Sequence, residues 1–269
     1  MKLALRNGAF AGETHIVTGA AQGIGNRVAA VLAAHGAKVA LVDLDPARLE
    51  AARKEIAVYA PEAPLVMAAN VTDEADVKRV VSSVLEKTGQ INGVVNVAGI
   101  TRDARIVKKS YDEFKLVLAV HLHGTFLFVR EVAFQHWHGL FKANGNKPVR
   151  DGVNRFVVNF SSVSARNGNV GQVDYTAAKG AIESLTKTAA RELAAYGVRV
   201  NAIAPGPVNT PMLAGVGPEA IEGMARATLV GRIAEPEDMA HTVAAIADPI
   251  LFGYTTGQVF HANGGLRLD

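Results

Sequence analysis

Residues Thr14–Gly25 read THIVTGAAQGIG, and the alanine-rich run GNRVAAVLAAHG continues from there. The β-branched opening predicts a strand, Gly19 a turn at its end, and the following run a helix. Glycine at 19, 23 and 25 lets the backbone turn sharply and approach a ligand closely. The helix start then offers free N–H groups at the positive end of its dipole, which suits a pyrophosphate. The spacing is G-x-x-x-G-x-G, unlike the G-x-G-x-x-G of many dinucleotide folds. A purely structural turn is the alternative reading. The position between strand and helix favours the phosphate cradle.

The same alternation extends outward. AKVALVD (Ala37–Asp43), APLVMAANV, INGVVNVAG, RFVVNFSS, VRVNAIAPG and GQVFHANGG read as further strands. Between them lie helical runs: one behind Pro46, one ending at Gly89, a long one over about 111–138, and one from about Asp174 to Tyr196. Strands apolar on both faces that alternate with helices predict a parallel sheet covered on both sides. The expected fold is α/β: a single-domain, doubly wound, Rossmann-type parallel sheet of about seven strands over residues 1–269. The polar segment HGLFKANGNKPVRDGVN (138–154) reads as an inserted surface loop or hairpin. The Gly/Pro-rich segment after the sixth strand, within 205–231, reads as a substrate lid.

Composition narrows the chemistry. Hydrophobic residues make up 49% and charged residues 20%, enough apolar content for a sizeable core. The net charge is only +3 and the basic residues are scattered, so no nucleic-acid partner is expected. With no cysteine, thiolate catalysis, disulfides and cysteine zinc sites are excluded. MKLALRNGAFAG has too short an apolar core for a signal peptide, and no apolar run reaches the ~20 residues of a membrane span. A cytoplasmic protein without a membrane partner is the expectation.

Two further features concern a reaction. Asp43 ends the second strand, 24 residues after Gly19. A carboxylate there can accept both adenosine ribose hydroxyls and would repel a 2′-phosphate, which points to NAD over NADP. A helix cap or turn aspartate is the alternative. In DYTAAKG, Tyr175 and Lys179 are i and i+4 on one helix face. A snorkelling surface pair is the bland reading. The sharper one is that the ammonium lowers a phenol pKa that is ordinarily near 10. Ser162 ends the fifth strand, where open α/β sheets face their ligands, and its hydroxyl can polarise a carbonyl.

NFSSV, DYTAAK and TGAAQGIG together resemble the short-chain dehydrogenase/reductase superfamily, and the likeness runs from Thr14 onward. NVAG (Asn96–Gly99) and APGPVNTPM fall in the family's order as well. The resemblance implies that Tyr175 is the general acid/base, that Ser162 orients the carbonyl, and that Lys179 holds the nicotinamide ribose. It places Thr18, Gly19, Gln22, Gly23, Ile24 and Gly25 at the cofactor phosphates. Asn70 and Val71 fall near the adenine, although Asp is usual at position 70. Asn96, Ala98 and Gly99, and Pro205, Gly206, Val208 and Thr210, complete the cofactor site. Relatives are usually homotetramers.

Two departures stand out. Val97 replaces a common asparagine, and a modest effect is expected. In AVHLHGTFLF, His121 stands where the family commonly has a fourth catalytic residue, an asparagine that holds a relay water. A histidine can hold that water, or it can simply pack. The stretch resembles the V-H-L-x-G-x-F form of 3-hydroxyacyl-CoA dehydrogenase domains. His121/His123 and His136/His138 are both i, i+2, which points the rings apart, so no metal is expected. The C-terminal half resembles 3-oxoacyl-acyl-carrier-protein reductases, which suggests fatty acid metabolism. Those enzymes generally use NADPH and a basic carrier-docking surface, whereas this chain has Asp43 and Tyr196. A 3-hydroxyacyl or 3-oxoacyl CoA thioester with NAD is the expected pair. Another hydrophobic secondary alcohol is the runner-up, and a cofactor-binding scaffold with little turnover is the rival of another class.

Overall fold

The computed structural model describes residues 7–268. MKLALR, the first half of the stretch judged too short in apolar core for a signal peptide, lies outside the described residues. Seven strands form one sheet: β1 Thr14–Thr18, β2 Lys38–Asp43, β3 Leu65–Ala68, β4 Gly93–Asn96, β5 Phe156–Phe160, β6 Arg199–Ile203 and β7 Val259–Phe260. Their order is β3-β2-β1-β4-β5-β6-β7, and every pair is parallel. β1, β4 and β5 are buried along their whole length, as β-branched strands covered on both faces should be. The chain first runs outward from β1 to β3 and then returns to β4 on β1's other side. That reversal opens a crevice at the C-terminal ends of β1 and β4.

Helices cover both faces. α1 Gly23–Ala34, α2 Pro46–Ile56 and α3 Glu74–Thr88 connect the first four strands. α4 runs over Tyr111–Ala143, α5 over Val173–Leu193, α6 over Pro218–Ala227 and α7 over Pro236–Ala247. One-turn helices occupy Ser164–Asn167 and Pro249–Phe252. Val28, Leu32 and Leu49 pack with Met239 and Val243 on one face; Val80, Phe128, Trp137 and Leu193 pack on the other. Helix starts are defined locally: Asp45 and Asp73 accept N–H groups of their first turns, and Ser110 and Glu113 form a capping box.

α4 departs from the sequence reading in two ways. It continues to Ala143, so the first six residues of the expected loop 138–154 are helical. The rings of His138, Phe141 and Tyr196 cluster with centroids 5.5–6.3 Å apart and fasten that last turn to the end of α5. α4 also widens to π geometry at Ala119–His123 and at Ala133–Trp137. α4 is long and apolar enough to cross a membrane by length and composition alone, but 56% of its most apolar window is buried within the protein. Trp137 is fully buried and donates to the Ile91 carbonyl at 2.9 Å.

Candidate active site

The crevice is built from backbone contacts that only certain residues permit. Thr18 Oγ1, at the end of β1, accepts the N–H groups of Val97 and Ala98, each at 3.1 Å. Gly19 has φ +66, and a Cβ there would lie 2.9 Å from Ala98 Cα. At Gly25 a Cβ would fall 2.1 Å from the Gly19 carbonyl oxygen. The loop is therefore folded down onto β4, which leaves room above it. The Gln22 side chain, at the N-cap of α1, accepts none of the first-turn N–H groups, which therefore face that space without a protein side chain on them. Ile24 is half-buried against the core.

Asp43 stands beside this loop. Its Oδ2 accepts Ala21 N–H at 3.1 Å and its Oδ1 accepts Leu44 N–H at 2.7 Å. The cap of α2 is Asp45, so the helix-cap alternative for Asp43 does not hold. Arg48 was not anticipated here. From the first turn of α2 it donates to Gln22 Oε1 at 3.1 Å, and the sequence carries no signal for that contact.

The remaining cofactor candidates line the same end of the sheet. Asn70 is exposed, and its side chain folds back to accept from Thr72 N and Oγ1. Val71 is buried beneath it. Asn96 donates to Asn159 at 2.9 Å, while its own Oδ1 is buried without a partner. Pro205 accepts Val163 N–H, and Gly206 sits against Asn263, where a Cβ would be 2.9 Å from the carbonyl oxygen. Val208 bridges to Ala234, and Thr210 lies over Gly23. A glycine cradle, an uncapped helix start, an acid at the end of β2 and an orphaned amide oxygen fit an adenine dinucleotide.

Ser162, Tyr175, Lys179 and His121 come together at the end of β5. Ser162 Oγ accepts Ser164 N–H at 3.1 Å. The His121 ring stands edge-on to Tyr175, with centroids 5.1 Å apart. Lys179 Nζ donates to the Phe160 carbonyl at 2.6 Å and lies 5.4 Å from the Tyr175 ring centre. Gly99 makes room for the histidine, since a Cβ there would meet His121 Cε1 at 2.3 Å.

Electrostatics here differ from the sequence reading. Burial drops the Lys179 ammonium to about 7, so it carries only part of a charge at neutral pH. The Tyr175 phenol is pushed up, first by burial and further by Asp103, against the opposing Ser162 hydrogen bond. The expected lowering by Lys179 is absent because the ammonium is itself desolvated and turned to a carbonyl. Burial, then Lys179, drops His121 to about 3, so its ring is neutral. His121 Nε2 lies 2.7 Å from the Ile100 carbonyl oxygen and 3.1 Å from Ile100 N, while Nδ1 has no partner. With Nε2 donating to that carbonyl, Nδ1 is a buried acceptor with no protein hydrogen bond on it.

These features define an oxidoreductase built on a Rossmann-type sheet. The family described as enoyl-(acyl carrier protein) reductase matches residues 19–267, and the chain belongs to the short-chain dehydrogenase/reductase family. It is 36% identical over 256 residues to the 3-oxoacyl-[acyl-carrier-protein] reductase FabG of Thermotoga maritima, across 95% of this chain and 98% of that protein. It is 34% identical over 258 residues to the (3R)-3-hydroxyacyl-CoA dehydrogenase of Homo sapiens, across 93% and 94%. The crystal structure of 3-ketoacyl-(acyl-carrier-protein) reductase from Brucella melitensis complexed with NADH superposes with a TM-score of 0.83 at 29% identity, covering 96% of this chain and all of that one. The chain is thus an oxidoreductase that uses a nicotinamide cofactor on a small-molecule substrate.

Proposed function

We propose that the chain is an NAD-dependent dehydrogenase acting at C3 of a 3-hydroxyacyl/3-oxoacyl CoA thioester. The observation that carries the cofactor choice is Asp43, a carboxylate held at the glycine loop by Ala21 N–H. It would accept ribose hydroxyls and repel a 2′-phosphate. When bound, the nicotinamide supplies the hydride acceptor for the alcohol or the hydride donor for the ketone.

The protein's own residues handle the proton. Tyr175 takes the substrate hydroxyl proton at its phenolic oxygen, or returns it when the ketone is reduced. Ser162 Oγ donates to the substrate oxygen and stabilises the charge that develops there. Because the phenol is raised in this structure, phenolate formation near neutrality needs a further positive charge beside it, which an oxidised nicotinamide carries. Lys179 holds the ribose, and His121 holds a water at Nδ1.

The thioester rests on the relatives' substrates and on the lid. Ile221 and Met224 of α6 are half-buried and apolar, which suits an acyl chain. Coenzyme A is favoured over a carrier protein because Tyr196, where a basic docking side chain would be expected, is bonded to His138 Nδ1 at 3.1 Å. A homotetramer fits the exposed Phe126 and Phe134, about two turns apart on α4. The test is NADH absorbance with purified protein, each cofactor, and a panel of hydroxyacyl-CoAs, steroids and cyclic alcohols. Turnover of hydroxyacyl-CoA with NAD is expected. Preference for a steroid or cyclic alcohol, or cofactor binding with no turnover, would overturn the reading.

A further inference from the structure

We infer that the ion pair between Lys109 and Asp174 is a latch that positions Tyr175, an inference that rests on Tyr175 being the proton-transfer group. Lys109 Nζ lies 2.9 Å from Asp174 Oδ2, and the two side chains are 4% and 1% exposed. The same ammonium reaches the Arg102 carbonyl. The other carboxylate oxygen, Asp174 Oδ1, accepts the backbone N–H of Tyr175 at 2.8 Å. One carboxylate thus joins the segment ahead of α4 to the backbone of the residue that bears the phenol.

Local structure explains why such a tie is needed. Gln172, the N-cap residue ahead of α5, makes no side-chain cap, so the first turn, which carries Tyr175, is not held in the usual way. Asp174 supplies the missing acceptor and an acid in the first turn, which the helix dipole favours. Two weaker ties run alongside: Ala104 N–H to the Gly171 carbonyl at 2.9 Å, and the Gln172 amide to both Asp103 oxygens at 3.1 Å. Arg105 and Ile106 on one side, and Val170 and Val173 on the other, wall a cavity of about 680 Å³ between the joined segments.

Stability alone gives little reason for a buried pair, since apolar side chains of similar size are often as good. A charged pair adds direction: each partner, left alone, must find water, and the segment carrying it must move to do so. In this protein the segment that would move is the first turn of α5. Glu113 on α4 is another charged group that acts on both members electrostatically, and its carboxylate accepts its own hydrogen bonds from Ser110.

The test compares kcat and the calorimetric Kd for NAD in four variants: Lys109→Met, Asp174→Asn, the double variant, and Tyr175→Phe. Lys109→Met leaves a lone carboxylate next to Tyr175, and kcat is expected to fall at least about tenfold while Kd stays within about twofold. The double variant leaves no lone charge and keeps an acceptor for Tyr175 N–H, but it lacks the tie as well, so kcat should rise above that of Lys109→Met and stay at least about threefold below the parent. Parental kcat in Lys109→Met, a Kd that weakens in step with kcat, or a double variant at parental kcat would each overturn the latch. If Lys109→Met does not fold, Asp174→Asn carries the test: a several-fold fall at unchanged Kd is expected, and parental kcat overturns it. Tyr175→Phe separates the two ideas. If it turns over like the parent, the reading of Tyr175 fails; if it is inactive while Lys109→Met is normal, the latch alone fails.

Discussion

The Lys179 ammonium lies 5.4 Å from the centre of the Tyr175 ring and donates to the Phe160 carbonyl at 2.6 Å. The two groups are one helical turn apart, and both are shifted by burial in the direction that disfavours charge. Holding either group charged is therefore costly to the fold.

That cost has a pH signature. Lys179 titrates at about 7 in the folded chain, against an ordinary 10.5. Across that window the unfolded chain binds a proton that the folded chain does not, so stability rises with pH. Below it the buried ammonium is carried at a cost of about 1.4 kcal/mol per unit of depression. Lys179→Met should melt several degrees above the parent at about pH 6, with the gap narrowing toward about pH 10, and should lose activity. Thermal scans at the two pH values check this; equal melting temperatures at the lower pH would contradict it.

His121 should not titrate in the working range, because burial and Lys179 hold it at about 3. His121→Asn is expected to keep most turnover, since an amide can also hold a water. The kcat profile between about pH 5 and pH 9 should keep its inflections. A collapse of turnover, or loss of an inflection near the usual histidine value, would show a role specific to the ring.

Asp43→Ser removes the carboxylate that Ala21 N–H holds beside the glycine loop. The ratio of kcat/KM for NAD to that for NADP should fall at least about tenfold, mostly through a better KM for NADP, since the term lost is a charge repulsion. Initial rates with both cofactors measure this. Equal efficiencies in the parent would already count against the role of Asp43.

The features readable from sequence were those that tie residue type to backbone geometry. Gly19 and Gly25 occupy positions where a Cβ would strike neighbouring backbone, and Tyr175 and Lys179 share a helix face by spacing alone. What stayed hidden depends on tertiary contact. The π turns in α4 add a residue of register without altering the apolar pattern. HGLFKANGN reads as a breaker-rich loop, yet His138 and Phe141 find Tyr196 and remain helical. Lys109 and Asp174 are 65 residues apart, and nothing in either segment announces the other. The raised phenol could not be foreseen either, because spacing shows proximity to a cation and does not show the desolvation that outweighs it.

The most direct measurement is the rate of NAD reduction by Tyr175→Phe with a 3-hydroxyacyl-CoA, with cofactor binding checked in the same preparation. Loss of the phenolic oxygen should lower kcat by about 10²–10⁴-fold while NAD still binds. Hydride transfer at the parental rate in that variant would contradict the account.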